Sequence, residues 1–194
     1  ASPDFELAAW LGAVVATLRA LDARGVPPEK AAAQLSATLP VDADFMLGIV
    51  KLRAARALLW RVLAASGVPD PLCAPPLLAI SNRRMLTAFE PFTNALRAGA
   101  ATFAALAGGA DAVEVAPYDE RTLGASVAAR RLARNTGHIL LEESHVARVL
   151  DPAGGAYFFE AETRALAESA WATFRGLEAE GGLPHLLQRG QVAM

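Results

Sequence analysis

The sequence predicts an α/β chain: the C-terminal part of a (β/α)8, TIM-type barrel, rich in helix and carrying about three parallel strands. Three observations lead there. Beyond Gly67, short apolar runs alternate with helical segments, the pattern of βαβ units and a parallel sheet. Before Gly67 only helices are legible, although a whole doubly wound domain begins with a strand. Alanine, the strongest helix former, supplies 44 of the 194 residues, so much of the 54% hydrophobic content promotes helix and adds little bulk to a core.

The elements follow in order. Ser2-Pro3-Asp4 opens the first helix, with Ser2 or Asp4 as cap, and Phe5, Leu7, Leu11, Val14, Val15 and Leu18 recur at helical spacing until Gly25. Pro27-Pro28 opens a short helix to about Ala37. Asp42 or Asp44 caps a longer helix that Gly67 stops, with Phe45, Ile49, Leu52, Leu59 and Val62 near one stripe. Residues 1–67 thus read as a helical segment and 68–194 as the last three β/α units. The strands are centred on 77–80, 112–116 and 138–142, parallel neighbours in that order; the following helices run roughly over 90–106, 121–135 and 159–180. Near-continuous apolar strands predict a sheet covered on both faces. Gly108-Gly109 and Gly154-Gly155 read as turn residues with φ > 0, and Trp10, Trp60 and Trp171 as core. The end of the chain, with His185, reads as a short helix and a frayed tail.

Composition narrows the function classes. A formal charge of −2, with acids spread among the arginines, leaves no basic stripe and argues against nucleic acid as partner. The most membrane-like stretch, 98–110, is too short and too poor in large apolar residues to span a bilayer. Cys73 is the lone cysteine, so neither an intrachain disulfide nor a thiolate metal cluster is expected. The opening ASPDFELAAW lacks the basic stretch of a signal peptide, and a cytoplasmic location is expected.

In barrels, function gathers where strands end and loops begin. That selects Ser81, Asn82, Arg83 and Arg84; Pro117, Tyr118 and Asp119; and Glu142, Glu143, Ser144 and His145. Strand ends are also polar simply because the chain leaves the core there. Glu142, Glu143 and His145 are of metal-ligand type, but further ligands would have to come from elsewhere, so no metal is expected. Neighbours on a strand point to opposite faces, which keeps Glu142 and Glu143 from acting as an acid–base pair on one substrate. No G-x-S-x-G, no G-x-x-x-x-G-K and no G-x-G-x-x-G after a strand is present.

Four stretches, FMLGIVKLRAARALLWRVL, LTAFEPFTNALRAGAATFAALAGGADAV, RRLARNTGHILLEESHVARVLDPAGGAYFFE and LAESAWATFRGLEAEGG, resemble the methylmalonyl-CoA mutase family in continuous order. The run 133–160 is the most specific. The resemblance implies an isomerase that interconverts methylmalonyl-CoA and succinyl-CoA by a radical rearrangement using adenosylcobalamin. It implies CoA threaded along the barrel axis and cobalamin held by a separate C-terminal domain. On this mapping the chain begins after the fifth barrel strand and ends before the cobalamin-binding domain, which is absent. Glu143 matches a position facing the adenosyl side, with Glu142 and Asn135 beside it on the rim; Ser81 and Asn82 fall near the acyl-CoA substrate.

Two departures stand out against the family pattern. The cobalt-ligating Asp-x-His-x-x-Gly is missing around His138, His145 and His185. Where catalytic members carry a His-x-Gln pair, this chain has Leu78 and Ile80, which cannot polarise a thioester. The pattern is similar to that of the non-catalytic small subunit of heterodimeric mutases, so no catalytic residue is assigned and the fragment alone is expected to be inactive. A catalytic mutase subunit is the implied partner. Two alternatives are a fragment of a catalytic chain of a related acyl-CoA mutase and a stand-alone interaction scaffold. A cut barrel leaves sheet edges unpaired, with Val113, Val115, Ile139 and Leu141 partly open, so self-association or pairing with an absent half is expected.

Overall fold

A computed structural model describes residues 2–122 and 124–190. Seven α-helices lie among them: α1 (Pro3–Asp22), α2 (Pro28–Ala32), α3 (Phe45–Ala65), α4 (Thr93–Ala107), α5 (Val127–His138), α6 (Tyr157–Ala179) and α7 (Leu183–Gln188). Three strands, β1 (Ala37–Val41), β2 (Leu77–Ser81) and β3 (Ala112–Glu114), form one sheet in the order β1-β2-β3 with both pairings parallel. None of these helices is long and apolar enough to cross a membrane. The described residues fall into two compact units, 2–35, 53–75 and 161–190 in the first and 36–52, 76–122 and 124–160 in the second.

The first unit is helical. Ser2 stands at the N-cap of α1, where its carbonyl accepts from Glu6 N–H at 3.0 Å, and Pro3 follows where a missing N–H costs nothing. Ser2 does not cap through its side chain, and Asp4 lies inside the first turn. Leu7 and Leu11 are fully buried, and a Cβ on Gly12 would stand 3.1 Å from Leu183 Cβ, which explains the bare backbone where α7 approaches. Arg19 pairs with Glu178 at 2.7 Å, Arg53 donates to Thr163 at 3.1 Å, and the Arg61 guanidinium lies 4.2 Å from the Trp171 ring centre. Of the three tryptophans expected in the core, Trp60 is 49% exposed, with Nε1 donating to Asp70 Oδ1 at 2.7 Å. Trp10 and Trp171 are half-buried. A hydrogen-bonding indole tip suits a helix flank better than a dry core.

The second unit holds the sheet. Ala37, Leu39, Val41, Leu77, Ala79 and Ser81 are buried on one face, and α4 runs across all three strands there with Ala98, Ala101, Ala104 and Ala105 buried. Alanine brings the helix backbone close to the sheet, which is what the unusual composition is for. The other face stays open: Thr38, Ala112 and Glu114 are exposed, and Pro40, Leu78 and Ile80 half-buried. The expectation of two covered faces is thereby corrected.

Two further expectations fail. The strand expected at 138–142 is helical instead: α5 continues into a π-type turn, Ile139–Glu143, closed by Ser144 N–H on the Ile139 carbonyl at 2.9 Å. Ser126 caps α5 by accepting from Ala129 N–H at 3.1 Å, and nothing breaks the helix before Ile139. A short apolar run cannot be told from a helix end by periodicity. The third strand is β1, inside the segment read as helical only, because α2 stops at Ala32 and Ala37, Leu39 and Val41 alternate with Thr38 and Pro40. Ala37 N–H bonds the Pro76 carbonyl and Asn82 N–H the Val41 carbonyl, so odd residues address β2 and Pro40, lacking a donor, faces the free edge.

Helix α3 starts as expected, with Leu47 N–H on Asp44 Oδ1 at 3.1 Å. A Cβ on Gly48 would lie 2.8 Å from Ala104 Cβ, whereas one on Gly99 of α4 meets nothing within 4 Å. Gly48→Ala should therefore destabilise the fold by about 1 kcal/mol, overpacking outweighing the helix-propensity gain, while Gly99→Ala stabilises it by a similar amount. Urea midpoints of the two variants should move in opposite directions.

In the first unit the Asp4 carboxyl is held below its ordinary value of 3.8, chiefly by the Ser2 hydroxyl, with burial opposing and the Ser169 hydroxyl at 3.2 Å helping. A lowered carboxyl pKa contributes stability above the unfolded value that disappears as pH falls through the folded one. Asp4→Asn should cost stability near about pH 6 and nothing near about pH 2, a convergence readable in paired urea titrations.

Candidate functional site

The C-terminal ends of the three strands share one rim, and side chains close it where the ladder runs out. Asn82 Nδ2 donates to Asp42 Oδ2 at 3.1 Å and Asn82 Oδ1 accepts from Arg84 N–H at 3.1 Å, joining the ends of β1 and β2. Ser81, 1% exposed, accepts Ala116 N–H on Oγ at 3.1 Å, joining β2 to the end of β3. Fully buried Asn94 on α4 uses its whole amide. Its Oδ1 accepts from Thr87 N–H and Arg97 Nη1, each at 3.0 Å, and its Nδ2 donates to the carbonyls of Thr87 and Tyr118, each at 2.8 Å.

Arg83 is the electrostatic centre of the rim. Nη1 donates to the Ser81 carbonyl at 3.1 Å, Nη2 to Glu114, and Nε to Glu120 Oε1 at 3.4 Å. Glu120 Oε2, itself buried, lies 3.4 Å from the same Nε, in charge contact but without hydrogen-bond geometry. Burial pulls the Arg83 pKa down, but the hydrogen bond and charge of Glu114, aided by Glu120, outweigh it and leave the guanidinium more firmly protonated than usual. The group is a fixed charge and no proton donor.

The sequence-predicted residues divide. Ser81 and Asn82 sit on this rim, and their polar atoms bind the neighbouring strand ends. Arg83 proves more central than its neighbours. Glu142, Glu143 and Asn135 do not end a strand: Asn135 is exposed on α5 and both glutamates are exposed in the π-type turn. On a helical turn the two carboxylates are no longer forced to opposite faces, so the strand-based argument about them lapses. His145 and Asp151 follow with positive φ of 54° and 49°, residue types that tolerate that region better than most. Asn94 was missed, because an asparagine inside an alanine-rich helix carries no motif.

No cluster of three or more His, Cys, Asp or Glu able to hold a metal ion occurs among the described residues. The exposed His138 and His145 lie on different turns of the second unit, a donor set that does not fit a cobalt ligand site. Cys73 is buried, and burial, with the charge of Asp70, pushes its thiol up, so it stays protonated near neutrality.

Alongside β3 runs a cleft of about 900 Å³ lined by Arg83, Asp111, Val113, Glu114, Val115 and Glu120 on one side and by α5 on the other. The rim itself should depend on Asn94. Asn94→Ala strands Thr87 N–H and the Thr87 and Tyr118 carbonyls, so unfolding free energy should drop by about 3 kcal/mol, against about 1 kcal/mol for Ser81→Ala. Equal, small losses in denaturant titrations would contradict that ranking.

Comparison with known proteins identifies the fold this rim belongs to. The family model for methylmalonyl-CoA mutase matches residues 1–194. The methylmalonyl-CoA mutase small subunit of Streptomyces virginiae is 46% identical over 192 residues, covering 99% of this chain and 31% of that protein. The probable small subunit of Mycobacterium tuberculosis (strain H37Rv) is 44% identical over 97% of this chain and 32% of its own length. The methylmalonyl-CoA mutase of Cereibacter sphaeroides is 33% identical over 89% of this chain and 24% of its own. The chain spans about a third of the length of the small subunits it matches. It belongs to the methylmalonyl-CoA mutase family of isomerases.

Proposed function

We propose that the chain is part of the barrel domain of a small, non-catalytic subunit, which supports the catalytic subunit of an adenosylcobalamin-dependent methylmalonyl-CoA mutase. The observation that carries this reading is the open face of β2. Leu78 and Ile80 point there, half-buried, where the family resemblance puts a His-x-Gln pair. Neither side chain has a proton to give or a dipole to aim at a developing charge, and electrostatic preorganisation is the largest catalytic effect available to such a site. The small-subunit names of the Streptomyces and Mycobacterium relatives point the same way.

Bound adenosylcobalamin would supply the radical chemistry, and a catalytic partner would hold it. No group of three or more His, Cys, Asp or Glu side chains that could hold a metal ion lies among the described residues, and no reaction step is assigned to them. Glu143, Glu142 and Asn135 remain proposed as rim residues toward the adenosyl group, and Ser81 and Asn82 as residues that shape the acyl-CoA end of the lumen. The last two would act by fixing the strand ends, since their polar atoms are already bonded. On this reading the cut chain represents three strands of the barrel, with the cobalamin-binding domain elsewhere.

The isolated chain should turn over no methylmalonyl-CoA and leave the visible spectrum of adenosylcobalamin unchanged on titration. Co-expressed with a catalytic mutase subunit, the same chain at its relatives' length should co-purify with it. Turnover without a partner, or a histidine-ligated base-off spectrum at micromolar cofactor, would falsify the proposal.

A further inference from the structure

The entry to α4 carries an apolar stripe that stays open to solvent. Phe89, Phe92 and Leu96 are 86%, 74% and 74% exposed. Thr93, Asn94 and Ala95 N–H bond the carbonyls of Glu90, Pro91 and Phe92, each at 3.0 Å, so the chain is already wound where α4 begins and the three side chains follow at helical spacing. Phe92 stacks on Tyr118 with ring centres 5.1 Å apart, which fixes the middle of the stripe. Beside it, Ala95 of α4 and Leu132 and Thr136 of α5 border a shallow pit whose floor is the buried Ala98 and Ala129. A ridge of large apolar groups next to a pit floored by alanine is the shape of a binding surface.

The remainder of a barrel does not reach this surface. Helices ring a barrel in the order of their strands, and α4 follows the middle strand of the three. Both of its ring neighbours are present: Phe103 of α4 meets Phe45 at the start of α3 edge-on, ring centres 6.0 Å apart, and α5 shares the pit. Further β/α units would extend the ring past β1 or past β3 and leave the outer side of α4 as it is. Charge narrows the occupant. Arg97 donates to Asn94 Oδ1 and meets no acid, and Arg131, one step around α5 from Leu132, has no hydrogen-bond or ionic partner among the described residues. Glu90, exposed beside Phe89, is the acid at the near end of the stripe.

We propose that the stripe Phe89, Phe92 and Leu96 seats an acidic amphipathic helix of the catalytic mutase subunit. Apolar side chains of that helix at three- and four-residue spacing lie along the stripe and enter the pit, and its Asp or Glu residues face Arg97 and Arg131. The occupant is a different subunit because the matched relatives are named small subunits, a name that presupposes a larger partner. A second copy of this chain would bring the same cations, with only Glu90 to answer them. The inference rests on the small-subunit reading and adds to it the place of contact.

Titration against a purified catalytic mutase subunit tests it, with this chain at its relatives' length. Leu96→Glu should weaken the complex by at least about thirtyfold, the loss of a buried anchor. Arg131→Glu should weaken it by about tenfold and Arg131→Lys by little, with the difference shrinking as salt is raised. Both side chains are exposed, so the urea midpoint of the uncomplexed subunit should stay unchanged and a folding defect is told apart from a binding one. Hydroxyl-radical labelling of Phe89, Phe92 and Leu96 should fall on complex formation. A complex that forms with wild-type affinity in the Leu96→Glu variant overturns the proposal and leaves the small-subunit reading standing. Labelling already suppressed in the uncomplexed monomer would assign the stripe to a further domain of the same polypeptide, and a sedimenting dimer that Leu96→Glu abolishes would assign it to a second copy. Either result overturns it. No complex even with the unaltered sequence would defeat the small-subunit reading and the docking surface with it.

Discussion

Asn94 is the residue on which the rim depends. A parallel ladder is somewhat weaker per residue than an antiparallel one, and β3 contributes only three residues to it. Main-chain bonds alone cannot hold the loops that leave β2 and β3 in register. The buried amide of Asn94 bridges them, with both donors and both lone pairs directed at named partners. It can reach them because α4 lies close, and α4 lies close because its inner face is alanine. Composition, helix approach and rim geometry form one chain of cause.

The rim so built is electrostatically closed. Arg83 faces two carboxylates, and its protonation is reinforced, so these charges meet one another. Beside it, the open face presents Leu78 and Ile80. Neither side chain takes part in the hydrogen bonds that hold the rim together, so the residues at these two positions can differ while the rim network is kept.

How far the sequence was legible follows from which signals are local. Helices with punctuation at both ends, such as α3 between Asp44 and Gly67, could be read directly. So could β2, bounded by prolines and by Asn82. β1 was hidden because Pro40 argues against a strand unless the strand is an edge, which only the partner ladder reveals. The run Ile139–Glu143 was misread because five residues of mixed apolar and acidic character fit a strand end and a helix end equally well. At the site, Ser81 and Asn82 were found from position alone, whereas Asn94 lies 12 residues beyond Asn82 and meets the rim only through packing.

Beyond Glu143 the chain leaves regular helix for a path with several left-handed residues. A helix surface accepts many side chains at little cost, so its sequence says little. The stretch from His145 to Gly155 must instead take φ of 54° at His145, 49° at Asp151 and 77° at Gly155, with a proline between the last two. Each such position admits few residue types, and non-glycine residues held there cost on the order of 1–3 kcal/mol unless the surroundings fix them. Ala153 is buried in a cluster with Ile49, Ala104 and Ala107, and Phe159 and Val146 pack against it, so the turn is anchored to the same alanine face that carries the sheet. Its polar opening residues mark the exit from α5 into a backbone path that only a narrow set of residues can follow.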